Sequence, residues 1–251
     1  MIDSKGNKIT ALAQYIALKS SGEAFEGESY LFWEFVRGLH ETQPKYFMLE
    51  NVEMPDEWYD LLCKVLGDYY VTSPNFDPEL PNYSNVNGNN LLIPFEINAS
   101  KFSAQSRKRL YWANIPVDSN ALAVATCDDT LATIMQPNIP EKYFYKQTFE
   151  HRTESRNHVI LEINGHDILK RVYYPDQKCP TLTRVSGGNQ QKKVIDGAHA
   201  RKLTPQEYEL AQGLPLDYTK GISDTARYCA LGNSWCSPVI QFIFSHIPTK
   251  L

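Results

Sequence analysis

Pro44-Lys45-Tyr46-Phe47-Met48-Leu49-Glu50-Asn51-Val52 is the stretch on which the reading of the fold turns. Pro44 ends a preceding helix, the middle is apolar, and polarity changes abruptly at Glu50. The pattern predicts a buried strand over 45–51 that delivers a carboxylate at its C-terminal end, where open α/β sheets meet their ligands. A strand-ending glutamate also serves as a cap or an ion-pair partner, and three residues alone do not separate these roles.

Working outward, Leu31, Phe32, Phe35, Val36 and Leu39 recur at helical spacing, which predicts a helix over 29–42. A further helix is expected at 8–20 and another at 56–66, stopped by Gly67. Residues 73–90, rich in Pro, Asn and Ser, read as an excursion loop, with strands following near 93–98 and 108–114. The alternation of helix and strand points to an α/β fold with parallel strands. From 118 to 200 short β segments such as Ile168–Tyr174 sit among polar loops, which suggests a smaller, mostly β lobe. Helical periodicity returns at 204–213 and in the apolar stretch from Trp235 to Ile247. The expected division is 1–117, 118–200 and 201–251.

Composition narrows the class. The 251 residues are 42% hydrophobic and 22% charged, a globular balance. No apolar run reaches membrane-span length and Met1–Gly6 lacks a signal-peptide core, so a cytoplasmic protein is expected. Cys63, Cys127, Cys179, Cys229 and Cys236 are scattered and form no CxxC pair, which argues against a disulfide framework or a zinc site. Residues 1–100 carry 15 acidic and 6 basic side chains, whereas 101–251 carry 14 and 19. A polyanion would be met by the later part, although an unevenly charged solvated surface reads the same way.

Four segments carry chemistry. Besides Glu50-Asn51-Val52, Gln105-Ser106-Arg107-Lys108-Arg109 places Gln105, Arg107 and Arg109 on one side of an extended chain. Two guanidinium groups there suit a phosphate or a base carbonyl, and a basic edge strand has the same pattern. Arg201-Lys202-Leu203-Thr204-Pro205-Gln206-Glu207 contains a capping box, with Thr204 as N-cap and Glu207 three residues on. Gly232-Asn233-Ser234 reads as a turn at a helix N-terminus, offering N–H groups to a polar ligand or simply capping the helix.

In this order, together with Tyr30-Leu31-Phe32-Trp33-Glu34-Phe35-Val36-Arg37, these segments resemble the later motifs of DNA (cytosine-5)-methyltransferases, most closely phage and prophage members with a short recognition lobe. The resemblance runs from about residue 9 to the end. It implies the later strands of a Rossmann-like S-adenosylmethionine-dependent methyltransferase sheet, a target-recognition lobe between Arg109 and Arg201, and double-stranded DNA as partner. In such enzymes the target cytosine is flipped into a pocket, attacked at carbon 6 by a cysteine thiolate and methylated at carbon 5. Glu50 then corresponds to the glutamate that holds the ring nitrogen and amino group. Arg109 corresponds to the arginine on the ring oxygen, and Arg107 to the one that supports the catalytic loop. Leu31, Asn233 and Ser234 would contact S-adenosylmethionine. Gln105, Thr181, Thr183, Arg184, Gly187, Gly188, Asn189 and Gln190 are the DNA-contact candidates, with Ser186-Gly187-Gly188 equally an ordinary turn.

The chain departs from the family in two places. It has no Gly-rich F-x-G-x-G cofactor turn and no Pro-Cys-Gln loop, and Cys179 precedes a proline rather than following one. Covalent addition needs a thiolate. The resemblance therefore implies the C-terminal portion of a methyltransferase, inactive alone, that works with a complementary N-terminal polypeptide. That partner would also cover the open edge of the strand ending at Glu50. The alternative is a non-catalytic DNA-binding or regulatory relative. An unrelated α/β enzyme using Glu50 or a histidine finds no support: the six histidines form no metal-ligand spacing, and no Gly-rich phosphate loop is present.

Overall fold

The structure is a computed structural model that describes residues 2, 3, 6–23, 25, 27–147, 158–185 and 188–248. The chain folds as two compact units, one of residues 1–96, 109–117 and 246–251, the other of 97–108 and 118–245.

In the first unit, α1 (Leu12–Ser20) and α2 (Leu31–Thr42) precede β1 (Met48–Asn51). Then come α3 (Asp56–Thr72), β2 (Tyr83–Val86), β3 (Asn89–Leu92), β4 (Phe95–Asn98) and β5 (Lys108–Ala113). The sheet order is β1-β5-β4. The expected parallel arrangement gives way at β1 and β5, which pair antiparallel, Leu49 opposite Trp112 and Glu50 opposite Tyr111. The connection from β1 contains a helix and a hairpin rather than a single crossover helix, so β5 returns alongside β1 in the opposite direction. Asn114 closes the far end of this pair. Its Oδ1 accepts from the Phe47 N–H at 2.7 Å and its Nδ2 donates to the Lys45 carbonyl at 2.9 Å.

The core of this unit takes Trp33, Val36 and Leu39 from α2, Leu62, Leu66 and Tyr69 from α3, and Leu110 and Trp112 from β5. Leu31, placed on the apolar face by sequence spacing, is instead exposed. Gly67 does not stop α3. The helix runs five residues further, to Thr72, because Leu66, Tyr69 and Tyr70 continue its buried face. The glycine serves close approach: a Cβ there would lie 2.5 Å from the Asn90 carbonyl oxygen on β3. The stretch expected to be loop holds the β2–β3 hairpin, turned at Asn87 and Gly88 with φ of 51° and 81°. Two positive φ values are what a type I′ turn demands, and Asn-Gly is its preferred dipeptide.

The second unit contains α4 (Ser119–Val124), α5 (Leu131–Ile134), β6 (His158–Ile160), α6 (Asp167–Lys170), β7 (Arg171–Tyr173), β8 (Lys193–Asp196), β9 (His199–Lys202), α7 (Pro205–Ala211), α8 (Asp224–Asn233) and α9 (Ser237–Ser245). Its sheet runs β6-β7-β8-β9, with β7 and β8 parallel and the outer pairs antiparallel. The β segment expected from Ile168 begins only at Arg171, after a turn of helix. The Thr204–Glu207 capping box forms as predicted. Glu207 does more than cap. Its two oxygens accept from Arg201 Nη1 and Nη2 at 2.8 Å each, and from the backbone N–H of Thr204 and Gln136. Both side chains of the pair are fully buried.

Two stability predictions follow from these contacts. Gly67→Ala gains about 1 kcal/mol in helix propensity, but the contact with backbone outweighs it, giving a net loss of roughly 1–3 kcal/mol. Urea unfolding measures this, and an unchanged or raised midpoint would contradict the packing described. Glu207→Gln keeps the shape but replaces one of the two carboxylates on the buried Arg201 guanidinium by an amide, Asp196 remaining paired with Nε at 2.5 Å. The expected loss is about 1–3 kcal/mol, read by the same measurement.

Candidate functional site

Along β5 side chains alternate between the two faces of the sheet. Leu110 and Trp112 point into the core, so Arg109 and Tyr111 occupy the other face. Glu50, opposite Tyr111, shares that face, and Arg109 is its diagonal neighbour, within reach of a long side chain. The two meet: Arg109 Nε lies 2.9 Å from Glu50 Oε1, with side chains 14% and 17% exposed. A carboxylate and a guanidinium are thus held side by side at the end of a strand, partly screened from water. One accepts hydrogen bonds and the other donates them, which complements the mixed edge of a pyrimidine.

Two clefts of the same unit adjoin the start of α2. Beside the end of β1, Ser29, Phe32, Asn51, Met54, Trp58 and Leu62 line a cavity of about 230 Å³. The other is lined by Tyr15, Lys19, Phe25, Tyr30, Leu31 and Glu34. Hydrogen bonds from Lys19 and Tyr15 hold the Glu34 carboxyl down to about 2, so it is charged at neutral pH. The walls are aromatic, the Lys19 cation and the Glu34 carboxylate pair with each other, and Leu31 supplies exposed apolar surface there.

In the second unit the Gln105–Arg107 segment does not present its side chains outward. Gln105 is fully buried, its Nε2 donating to Gln212 Oε1 at 2.9 Å while its Oε1 accepts from the Leu182 N–H at 3.0 Å. Arg107, also buried, donates from Nη1 to the Leu182 carbonyl at 2.8 Å. Thr181 Oγ1 donates to the Ser106 carbonyl at 2.7 Å. The common side expected for Gln105, Arg107 and Arg109 is therefore not what the chain uses: the first two are spent in this unit and Arg109 pairs with Glu50 in the other. Together Gln105, Ser106 and Arg107 bracket the backbone at 181–182. Thr183 and Arg184, next along, are exposed between the buried Leu182 and Val185.

Gly232 completes the bracket from the opposite direction. The sequence pattern places Gly232-Asn233 at a helix N-terminus; the structure places both at the C-terminal end of α8, with α9 starting at Ser237. The N–H groups expected to be free are consequently used inside α8. Gly232 is needed because a Cβ would fall 2.2 Å from the Thr183 carbonyl oxygen. Asn233 is exposed, and the Ser234 hydroxyl donates to the Leu231 carbonyl at 2.8 Å. Gly188 is exposed with φ +64°, Gln190 is exposed, and Asn189 is half-buried, its Oδ1 accepting from Tyr145 Oη at 3.2 Å. Gly187 lies outside the described residues. Sequence reasoning missed Tyr145 and read Gly232 as a turn residue where it serves close approach. A glycine inside a helical pattern is a signal of close backbone approach, and that signal was available.

Three of the five thiols lie in the core. Burial pushes the Cys63, Cys179 and Cys236 thiols up, Cys179 to about 12, so these three are protonated at neutral pH. Cys63 also accepts from Trp112 Nε1 at 3.3 Å, on the core face of the sheet away from Glu50. Among the described residues there is no cluster that would hold a metal ion and no helix long and apolar enough to cross a membrane.

Comparison with known proteins bears on this arrangement. The family described as C-5 cytosine-specific DNA methylase matches residues 18–55 and 95–249. The type II methyltransferase M.HpaII of Haemophilus parainfluenzae is 25% identical over 260 residues, covering 88% of this chain and 65% of that protein. The chain thus spans a little under two thirds of that relative's length. A stretch of 54 residues is 37% identical to the orphan methyltransferase M.SPBetaI of Bacillus phage SPbeta, 21% of this chain and 12% of that one. The fold is similar to that of the Dnmt2 methyltransferase of S. pombe, with a TM-score of 0.56 at 16% identity over 86% of this chain and 71% of the other. With matched segments that contain both Glu50 and Arg109, the chain belongs to the C-5 cytosine-specific DNA methylase family.

Proposed function

We propose that these 251 residues hold the target base and the DNA in methylation of cytosine at carbon 5. Transfer further needs a thiolate loop and a main cofactor loop that the 251 residues do not contain. The observation that carries this reading is the Glu50–Arg109 pair on the face of β1 and β5 away from the Trp112 core. A flipped cytosine offers an amino donor and two acceptors, the ring nitrogen and oxygen. Glu50 accepts from the amino group and, when protonated, donates to the ring nitrogen; Arg109 donates to the ring oxygen. Addition of a thiolate at carbon 6 drives electron density onto that same nitrogen and oxygen. Donors fixed there in advance stabilise the charge as it develops, commonly a large catalytic contribution.

S-adenosylmethionine supplies the methyl group when bound. Leu31 and the cleft it lines, in the first unit, would take part of it. Thr183, Arg184 and the Gly188–Gln190 stretch are the DNA contacts in this reading, with Arg184 supplying a guanidinium for phosphate or base edge. Gln105 and Arg107, being buried, position Thr181–Arg184 rather than touch the duplex. The missing loops are furnished by another stretch of polypeptide, joined to these residues or separate.

Incorporation of labelled methyl from S-adenosylmethionine into duplex DNA tests the reading. The 251-residue chain is expected to give none alone, and to give transfer when a polypeptide bearing the Pro-Cys-Gln loop and the Gly-rich cofactor turn is added. Transfer by the 251 residues alone, or none from a folded complex of the two, would overturn it. In an active complex, Glu50→Gln is expected to lower the rate by roughly 10²-fold or more while duplex affinity stays within about threefold. An equal fall in both would make Glu50 a structural residue instead.

A further inference from the structure

Lys193 opens β8 and is 1% exposed, yet no carboxylate pairs with it among the described residues. A lysine so buried is rare because its charge loses hydration. Burial, with Lys202 and Lys192 nearby, lowers its pKa to about 8. What compensates is a cage of carbonyls: Nζ donates to Leu169 O at 2.7 Å, Asn189 O at 2.7 Å and Gln191 O at 3.0 Å. An ammonium has three N–H bonds, and all three are used. Its charge also lies 5.8 Å from the centre of the Tyr145 ring. The Tyr145 hydroxyl in turn donates to the Asn189 side chain. Asn189 is therefore tied twice, by its backbone to Lys193 and by its amide to Tyr145.

An apolar residue would fill a central strand position at less cost. The lysine gains its place by fixing the backbone on both sides of Gln190, whose side chain is exposed. We infer that Lys193, assisted by Tyr145, is the positioning residue of the base-reading segment Asn189–Gln191, an internal cation that sets the shape in which the segment meets DNA. This rests on the reading of that lobe as the DNA-recognition part.

The test uses the full 251-residue chain and a pool of duplexes with a randomised centre. Affinity is measured for the duplex that the parent chain enriches and for an unrelated duplex of equal length. Lys193→Met is expected to weaken the enriched duplex by roughly tenfold or more and the unrelated one by less than about twofold. Tyr145→Phe should shift the ratio in the same direction by a smaller factor. A general loss of folded protein lowers both affinities alike and leaves the ratio unmoved, so the ratio separates positioning from stability. An unchanged ratio in the two variants overturns the inference. If Lys193→Met does not fold, Tyr145→Phe decides alone: a reduced ratio supports it and an unchanged one ends it. Failure of the parent chain to enrich any duplex would instead remove the DNA-recognition reading, and this inference with it.

Discussion

The antiparallel pairing of β1 with β5 is the constraint on which the candidate chemistry depends. Because side chains alternate along both strands, one register decides two things together. Trp112 and Leu110 go to the core, and Glu50 and Arg109 go to the opposite face as diagonal neighbours. A slip of one residue would expose the tryptophan and bury the ion pair, so core burial and site geometry protect each other. Asn114 helps hold this register through its two bonds to the chain entering β1.

In the second unit, the buried polar side chains are used as brackets. Gln105, Arg107 and Thr181 exchange hydrogen bonds with the facing backbone, and Gly232 lets α8 approach the Thr183 carbonyl. Arg201 and Glu207 do the same for the start of α7, as a buried pair whose remaining lone pairs are also satisfied. Such networks add little net energy but make alternative arrangements costly, because each leaves a buried group unpaired. The exposed Thr183 and Arg184 are thereby presented on backbone that is fixed from two sides.

Much of the sequence reading survived where local rules dominate. The helix at Leu31–Thr42, the strand ending at Glu50-Asn51 and the capping box at Thr204 are set by periodicity and by side chains a few residues apart. It failed where one residue has two uses. Gly67 reads as a stop and serves as a packing notch; Gly232-Asn233 reads as a turn and ends a helix. The Asn87-Gly88 hairpin was legible from its dipeptide, and the polar richness around it hid the signal.

The sequence by itself determined the family, through the order and identity of its motifs, and the absence of a Pro-Cys-Gln loop from these residues. Only the tertiary structure decided which polar residues are spent inside the protein and which remain available. Gln105, Arg107 and Arg109 alternate identically in the sequence, yet two are buried against backbone and the third faces a carboxylate. The physical reason is that a polar side chain's role is set by which partners surround it once water is removed, and those partners come from positions tens of residues away.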